Sequence, residues 1–192
     1  MFGGDNHLES MAKALFSKFK LLRVLDLENA ALKFFPQEVV KLILLRYLSL
    51  RNTKIDLISK SIKKLQNLLV LDLRQTLVLE LPKEILEIPK LLYLLIDCRG
   101  TNNAIVGIEV SQGIRCLKWL QELSLIKANN KKGSIVEELG NLIELRKLGI
   151  TELKNKDGRD FCASIEKMEH LSSLYVESIK EFLDLNYVKK PS

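Results

Sequence analysis

Two histidines, His7 and His170, and three cysteines, Cys98, Cys116 and Cys162, are the residues of this 192-residue chain best suited to nucleophilic, acid–base or metal chemistry. An imidazole beside a thiol or a hydroxyl would make a nucleophile with its base, and clustered thiols and imidazoles would hold zinc. The spacing provides neither. His7 and His170 stand near opposite ends of the chain, and neither has a neighbouring Cys or acidic pattern of these kinds. No two cysteines keep a C-x-x-C interval, and their odd number disfavours a disulfide framework. They read most simply as small buried residues. The chain contains no G-x-x-x-x-G-K-[ST] phosphate loop and no G-x-G-x-x-G. No enzyme, cofactor or metal is expected, so binding becomes the function to look for.

Composition narrows the search. Hydrophobic residues make up 47% of the chain and aromatic residues only 6%, so the apolar content is mostly Leu, Ile and Val. Such a bias implies many small, equivalent core positions and therefore internal repeats. The net charge is +6, but the lysines are scattered, with pairs only at Lys63-Lys64, Lys131-Lys132 and Lys189-Lys190. Few aromatics lie among them, and a solvated outer face is expected rather than a nucleic-acid surface. The start, MFGGDNHLESMAK, carries acidic residues and lacks the apolar stretch of a secretory signal. No apolar run approaches the ~20 residues of a membrane span. With the cysteine usage, this leads to the expectation of a cytoplasmic protein.

The elements that position any binding residues come from a repeat. L-x-x-L-x-L occurs at Leu22-Leu25-Leu27, Leu45-Leu48-Leu50 and Leu68-Leu71-Leu73, and again at Leu91-Leu94-Ile96, each start 23 residues after the last. The other slots recur too. Ala30, Thr53 and Thr76 take the ninth position, followed by Leu32, Ile55 and Val78, then Phe35-Pro36, Ile58-Ser59 and Leu81-Pro82. Val39, Ile62 and Ile85 come next, then Leu42, Leu65 and Ile88. Apolar residues two apart suit a strand that points both side chains inward. The ninth residue suits a bend, where Thr can bond the backbone and Ala30 cannot. Apolar residues three apart near the end of each unit suit a 3₁₀-like segment with one buried face. The predicted fold is an α/β leucine-rich-repeat solenoid with a parallel inner sheet and an irregular or short helical outer side.

Later copies, Leu120-Leu123-Leu125, Leu145-Leu148-Ile150 and Leu171-Leu174-Val176, follow at intervals of 29, 25 and 26 residues, giving about seven repeats. The extra length falls at Arg99 to Gly113, Asn129 to Ser134 and Asn155 to Asp160, read as loops on the outer or descending side. Leu8, Met11, Ala12, Leu15, Phe16 and Phe19 lie on one helical face, with Asn6 and Glu9 placed as a capping box. The predicted organisation is an N-terminal flank and capping helix at 1–19, repeats at 20–178, and a C-terminal cover and frayed tail at 179–192. Trp119, directly before Leu120, is expected to pack or to shield a strand edge.

Three columns of residues should project from the inner sheet, one strand spacing of about 4.8 Å apart. The first reads Val24, Tyr47, Val70, Tyr93, Glu122, Lys147 and Ser173. The second reads Asp26, Ser49, Asp72, Leu95, Ser124, Gly149 and Tyr175, and the third Glu28, Arg51, Arg74, Asp97, Ile126, Thr151 and Glu177. The candidate protein-binding residues are Tyr47 and Tyr93 as anchors, with Arg51, Arg74, Asp72 and Asp26 as polar contacts, since Tyr and Arg are enriched at binding hot spots. Alternatively, Glu28, Arg51, Arg74 and Asp97 pair with one another along the sheet.

The stretches from Leu15 to Ile55 and from Ser61 to Ile85 resemble the leucine-rich-repeat region of plant disease-resistance proteins of the nucleotide-binding, coiled-coil class. GIRCLKWLQELSLIKANN and the run from Ile135 to Val176 are similar to the same region in the same order, so the likeness spans about residues 15 to 185. The resemblance implies a non-catalytic recognition module in plant innate immunity, whose protein partner is a pathogen effector or a host protein altered by one. It also implies an intramolecular partner, a nucleotide-switch domain, which this chain does not contain; nucleotide binding is not carried over. The extracellular plant repeat, with L-x-G-x-I-P, is a poorer match because no unit carries its Gly. A cytosolic signalling scaffold and a non-functional fragment of a resistance gene remain as alternatives.

Overall fold

A motif with two inward leucines two residues apart leaves room for only a very short strand, and the first four strands are three residues each. The structure, a computed structural model, describes residues 16, 18–99, 105–130 and 133–178. Its strands are β1 (Val24–Asp26), β2 (Tyr47–Ser49), β3 (Val70–Asp72), β4 (Tyr93–Leu95), β5 (Cys98–Arg99) and β6 (Ile105–Val106). These are followed by β7 (Glu122–Lys127), β8 (Asn129–Asn130), β9 (Gly133–Ser134), β10 (Lys147–Leu153) and β11 (Ser173–Ser178). Seven of them form one parallel sheet in the order β1-β2-β3-β4-β7-β10-β11. Each neighbour is the next repeat along the chain, as a solenoid coil requires.

The constant 23-residue period fixes the register. Val24 stands opposite Tyr47, Tyr47 opposite Val70 and Val70 opposite Tyr93, and the leucines Leu25, Leu48, Leu71 and Leu94 align beside them. Leu48, Leu71, Leu94 and Leu123 are fully buried in one continuous core. At the first strand Leu22, Leu25 and Leu27 are only partly buried, because they have a repeat on one side alone among the described residues.

The return side is built as expected. Short 3₁₀ segments run over Gln37–Lys41, Lys60–Lys64 and Lys83–Glu87, each entered from an extended residue, Pro36, Ser59 or Pro82. Proline fixes φ near that entry, and Ser59 accepts a bond from the Ser61 amide at 3.2 Å. Val39 and Leu42, Ile62 and Leu65, and Ile85 and Ile88 turn inward and are buried.

The corner between strand and return is made by two residues. Asn29, Asn52 and Gln75 take positive φ of 61°, 53° and 59°, a conformation that Asn tolerates better than most. Thr53 and Thr76 follow, and their hydroxyls donate to Leu50 O and Leu73 O at 2.8 and 2.7 Å. The ninth-position residue therefore ties the bend, while the residue before it makes the turn.

Three features differ from the sequence reading. The longer middles carry regular elements among their described residues: β5 pairs antiparallel with β6, β8 with β9, and the third insertion forms a 3₁₀ turn at Asn155–Asp157 and an α-helix at Gly158–Ile165. The register slips between Leu148 and Gly149, so that Gly149 faces Leu125 rather than Ser124, and Thr151 faces Lys127 rather than Ile126. The inward slot meant for Leu125 is filled by Ile126, which is fully buried. An extra residue on one strand is a bulge, and it flips every side chain after it. Gly149 permits this, since a Cβ there would stand 3.2 Å from Leu125 Cδ1 and 3.3 Å from Leu125 N. Finally, Trp119 is 62% exposed on a turn rather than packed.

At the N-terminal end Phe16 is helical and buried while Phe19 is exposed, so only one of these two members of the expected apolar helical face reaches the core. The rest of the expected capping helix and the expected C-terminal cover at 179–192 lie outside the described residues.

Candidate binding site on the inner sheet face

The inner face is built from the residues between the buried leucines, and its first column matches the sequence reading in full. Tyr93 aligns with Glu122, Glu122 with Lys147 and Lys147 with Ser173, completing the row that starts at Val24. Val24 is exposed, and Tyr47, Val70 and Tyr93 are half-buried. The Tyr93 hydroxyl donates to Gln121 Oε1 at 2.9 Å, which leaves the ring on the face and fixes its tip. Glu122 and Lys147 pair across strands at 3.4 Å.

The second column has a structural duty in its first three members. Asp26 Oδ1 accepts the Glu28 amide at 2.9 Å, Ser49 Oγ the Arg51 amide at 3.5 Å, and Asp72 Oδ1 the Arg74 amide at 3.1 Å. Each is a side chain closing a turn two residues ahead, a habit of Asp and Ser. Of the two acidic candidates, Asp26 is exposed and Asp72 is only 2% exposed.

Arg74 closes a fork onto that carboxylate, with Nε to Oδ1 at 3.0 Å and Nη2 to Oδ2 at 2.6 Å. Its pKa is raised above the ordinary arginine value chiefly by this side-chain bonding; burial opposes the rise, and the charges of Asp72, Asp97 and Glu122 add to it. Arg74 and Asp72 thus form one internal unit. Arg51 is different. It lies 3.7 Å from Glu28, a loose pairing, and its Nε is shielded from solvent without a hydrogen bond. The pairing expected along the third column is present at Glu28 and Arg51. At the next position it is replaced by the Arg74–Asp72 fork, and Asp97 accepts the Gln75 amide at 2.7 Å.

Beyond β4 the face opens into a depression of about 240 Å³, bounded by Arg74 and Asp97 at one side and Tyr175 at the other. Ser124, Gly149 and Ser173 contribute small side chains or none, and the bulge brings Leu125 to its edge. Of the six candidate residues, only Arg74 borders this depression. The sequence carried a signal for it in Ser124 and Gly149, two small residues in succession between Leu95 and Tyr175 in that column.

Of the two histidines and three cysteines, His7 lies outside the described residues. Cys116 is exposed, against expectation, and Cys162 is buried in the Gly158–Ile165 helix. His170 is exposed on a turn. Among the described residues, no group of three or more His, Cys, Asp or Glu side chains is placed to hold a metal ion. No helix among them is long and apolar enough to cross a membrane.

A family model for a leucine-rich repeat region matches residues 5–192. Among solved structures, the chain is similar to a leucine-rich-repeat protein of Leptospira interrogans at 23% identity and a TM-score of 0.54, over 84% of this chain and 50% of that one. It is also similar to the receptor kinase HAESA of Arabidopsis, solved in complex with the peptide hormone IDA and a co-receptor. There the identity is 19% and the TM-score 0.58, over 81% of this chain and 26% of that one. The chain thus spans half the length of the first structure and about a quarter of the second. No curated protein matches the sequence.

Proposed function

Because the chain belongs to the leucine-rich repeat family over residues 5–192, we propose that it is a non-catalytic protein-recognition module whose inner sheet face receives the partner. One observation carries this reading. The row Val24, Tyr47, Val70 and Tyr93 lies on a sheet face with side chains still open to solvent and no described element packed over it. Tyrosines held on a rigid strand ladder lose little entropy on binding and present a large apolar surface with a polar tip. That HAESA, a receptor of the same fold, forms a complex with a peptide hormone is consistent with this use.

The finer role we propose is recognition inside plant cells, as the sensing region of a disease-resistance protein whose partner is a pathogen effector or a host protein modified by one. Its support is the sequence resemblance of the irregular later repeats. A nucleotide-switch domain would be a second, intramolecular partner wherever the two share a polypeptide.

The test is a panel of effectors and their host targets titrated against the purified chain and against a Tyr47→Ala/Tyr93→Ala variant. A partner that binds the parent chain and loses at least tenfold in affinity for the variant supports the proposal, a loss of about 1.4 kcal/mol. Equal affinity for both chains would place binding elsewhere, and no binding across the panel would remove the defence role.

A further inference from the structure

We propose that the depression between Arg74 and Tyr175 is an anchor pocket for one large apolar side chain of an extended peptide segment laid along the inner face. The inference rests on reading that face as the binding surface, and it names the partner's chemistry.

Size is the first argument. Sites for free small molecules run to roughly 300–1,000 Å³ and enclose most of the ligand. This depression is open and only about 240 Å³, room for a single side chain. Its making is the second. Three adjacent strands contribute Ser124, Gly149 and Ser173, and the Leu148/Gly149 slip turns Leu125 out of the core to the rim. Tyr175, 54% exposed, stands across from it as an unburied aromatic wall. Small residues flanked by an aliphatic and an aromatic group suit an apolar insert, which gains contact on both sides.

Charge is the third argument, and it chooses the class of side chain. Every charged group at the rim already has a partner within the chain. Arg74 is forked onto Asp72, Lys147 lies 3.4 Å from Glu122, and Asp97 accepts the Gln75 amide. An acidic or basic insert would compete with these bonds for the same groups, whereas an apolar insert against Leu125 and Tyr175 leaves them in place. The pocket also continues the apolar row. Tyr93 aligns with Glu122 and Glu122 with Lys147, so a segment lying on Tyr47, Val70 and Tyr93 reaches the depression within two further strands.

The probe is a library of random twelve-residue peptides displayed on phage and selected on the full chain. One enriched peptide is then synthesised and titrated against the parent chain, Ser173→Trp, which fills the depression, and Tyr175→Ala, which removes its wall. Both positions are solvent-exposed on β11, and circular dichroism reports whether each variant keeps the parent fold. The expected result is a shared large apolar residue among selected peptides. Replacing that residue by Ala, or using either variant, should weaken binding at least tenfold. Peptides unaffected by Ser173→Trp and Tyr175→Ala, peptides selected for charge alone, or no selection at all would each overturn the pocket. Peptides that ignore both variants yet fail on Tyr47→Ala/Tyr93→Ala would overturn it while leaving the inner-face reading intact.

Discussion

Arg74 meets the carboxylate of Asp72 in two parallel hydrogen bonds, 3.0 Å from Nε and 2.6 Å from Nη2, and Asp72 itself is 2% exposed. A buried carboxylate needs such a partner, because a lone charge there has neither water nor counter-ion. The same carboxylate closes the turn through the Arg74 amide. Asp72→Ala removes both functions at once and should cost about 2 kcal/mol of stability, with Arg74→Glu at least as damaging because it sets two carboxylates together. Chemical denaturation of both variants measures this. Midpoints unchanged from the parent would show that the fork is ornamental.

Arg51 offers the cleaner probe of binding. It sits one repeat before Arg74 in the same column, but its partner Glu28 is 3.7 Å away and both side chains are partly exposed. Pairs of this kind contribute roughly 0–1 kcal/mol. Arg51→Glu should therefore leave the thermal midpoint within a few degrees of the parent while lowering affinity for an inner-face partner several-fold. An isothermal titration with unchanged affinity would take Arg51 out of the contact surface.

Leu48 tests the register. It is fully buried between Leu25 and Leu71 in the ladder. Leu48→Asp places a carboxylate in the continuous core with no cation facing it, a change worth more than about 4 kcal/mol and enough to unfold the stack. Val24→Asp, one residue before Leu25 on the exposed side of the sheet, should be tolerated. A native melting curve for the Leu48 variant, or collapse of the Val24 variant, would mean that the inward and outward positions are exchanged.

These contrasts show where the sequence was readable. Alternation of inward Leu with outward residues is dictated by the strand itself, so Val24, Tyr47, Val70 and Tyr93 could be aligned from spacing alone. The turn duty of Asp26, Ser49 and Asp72 was also written in residue type, two positions before the amide each accepts, but the same residues suit a binding face equally well. Only the geometry separates Asp72, which is buried and forked, from Asp26, which is exposed. The slip at Gly149 was not readable. It depends on how closely two backbones approach, and a change of one residue in pairing leaves no periodic mark in a unit whose length already varies. The insertions were read as loops from their Gly, Asn and Lys content. Yet β8 and β9 are a two-residue ladder, and such short pairing is set by the neighbouring repeat rather than by local propensity.

The corner of the first repeat provides the last test, and it works by addition. At the ninth position Thr53 and Thr76 donate their hydroxyls to Leu50 O and Leu73 O, while Ala30 has no hydroxyl to offer. The backbone there is otherwise equivalent. Asn29 has the same positive φ as Asn52, and the Ala30 amide bonds to Leu27 O at 3.1 Å as the Thr76 amide bonds to Leu73 O at 3.4 Å. Ala30→Thr should therefore restore a bond that the other corners possess and stabilise the chain by about 1 kcal/mol, a net figure usual for one intramolecular hydrogen bond. Ala30 is half-buried, so the added methyl and hydroxyl have space to enter. Thr76→Val supplies the reverse experiment at a fully buried corner, where losing the donor should cost a similar amount or more. Paired thermal melts decide the matter. A rise for the Ala30 variant with a fall for the Thr76 variant assigns the bend to the ninth-position hydroxyl, whereas a fall in both would show that the first corner is shaped by its end position and not by the missing bond.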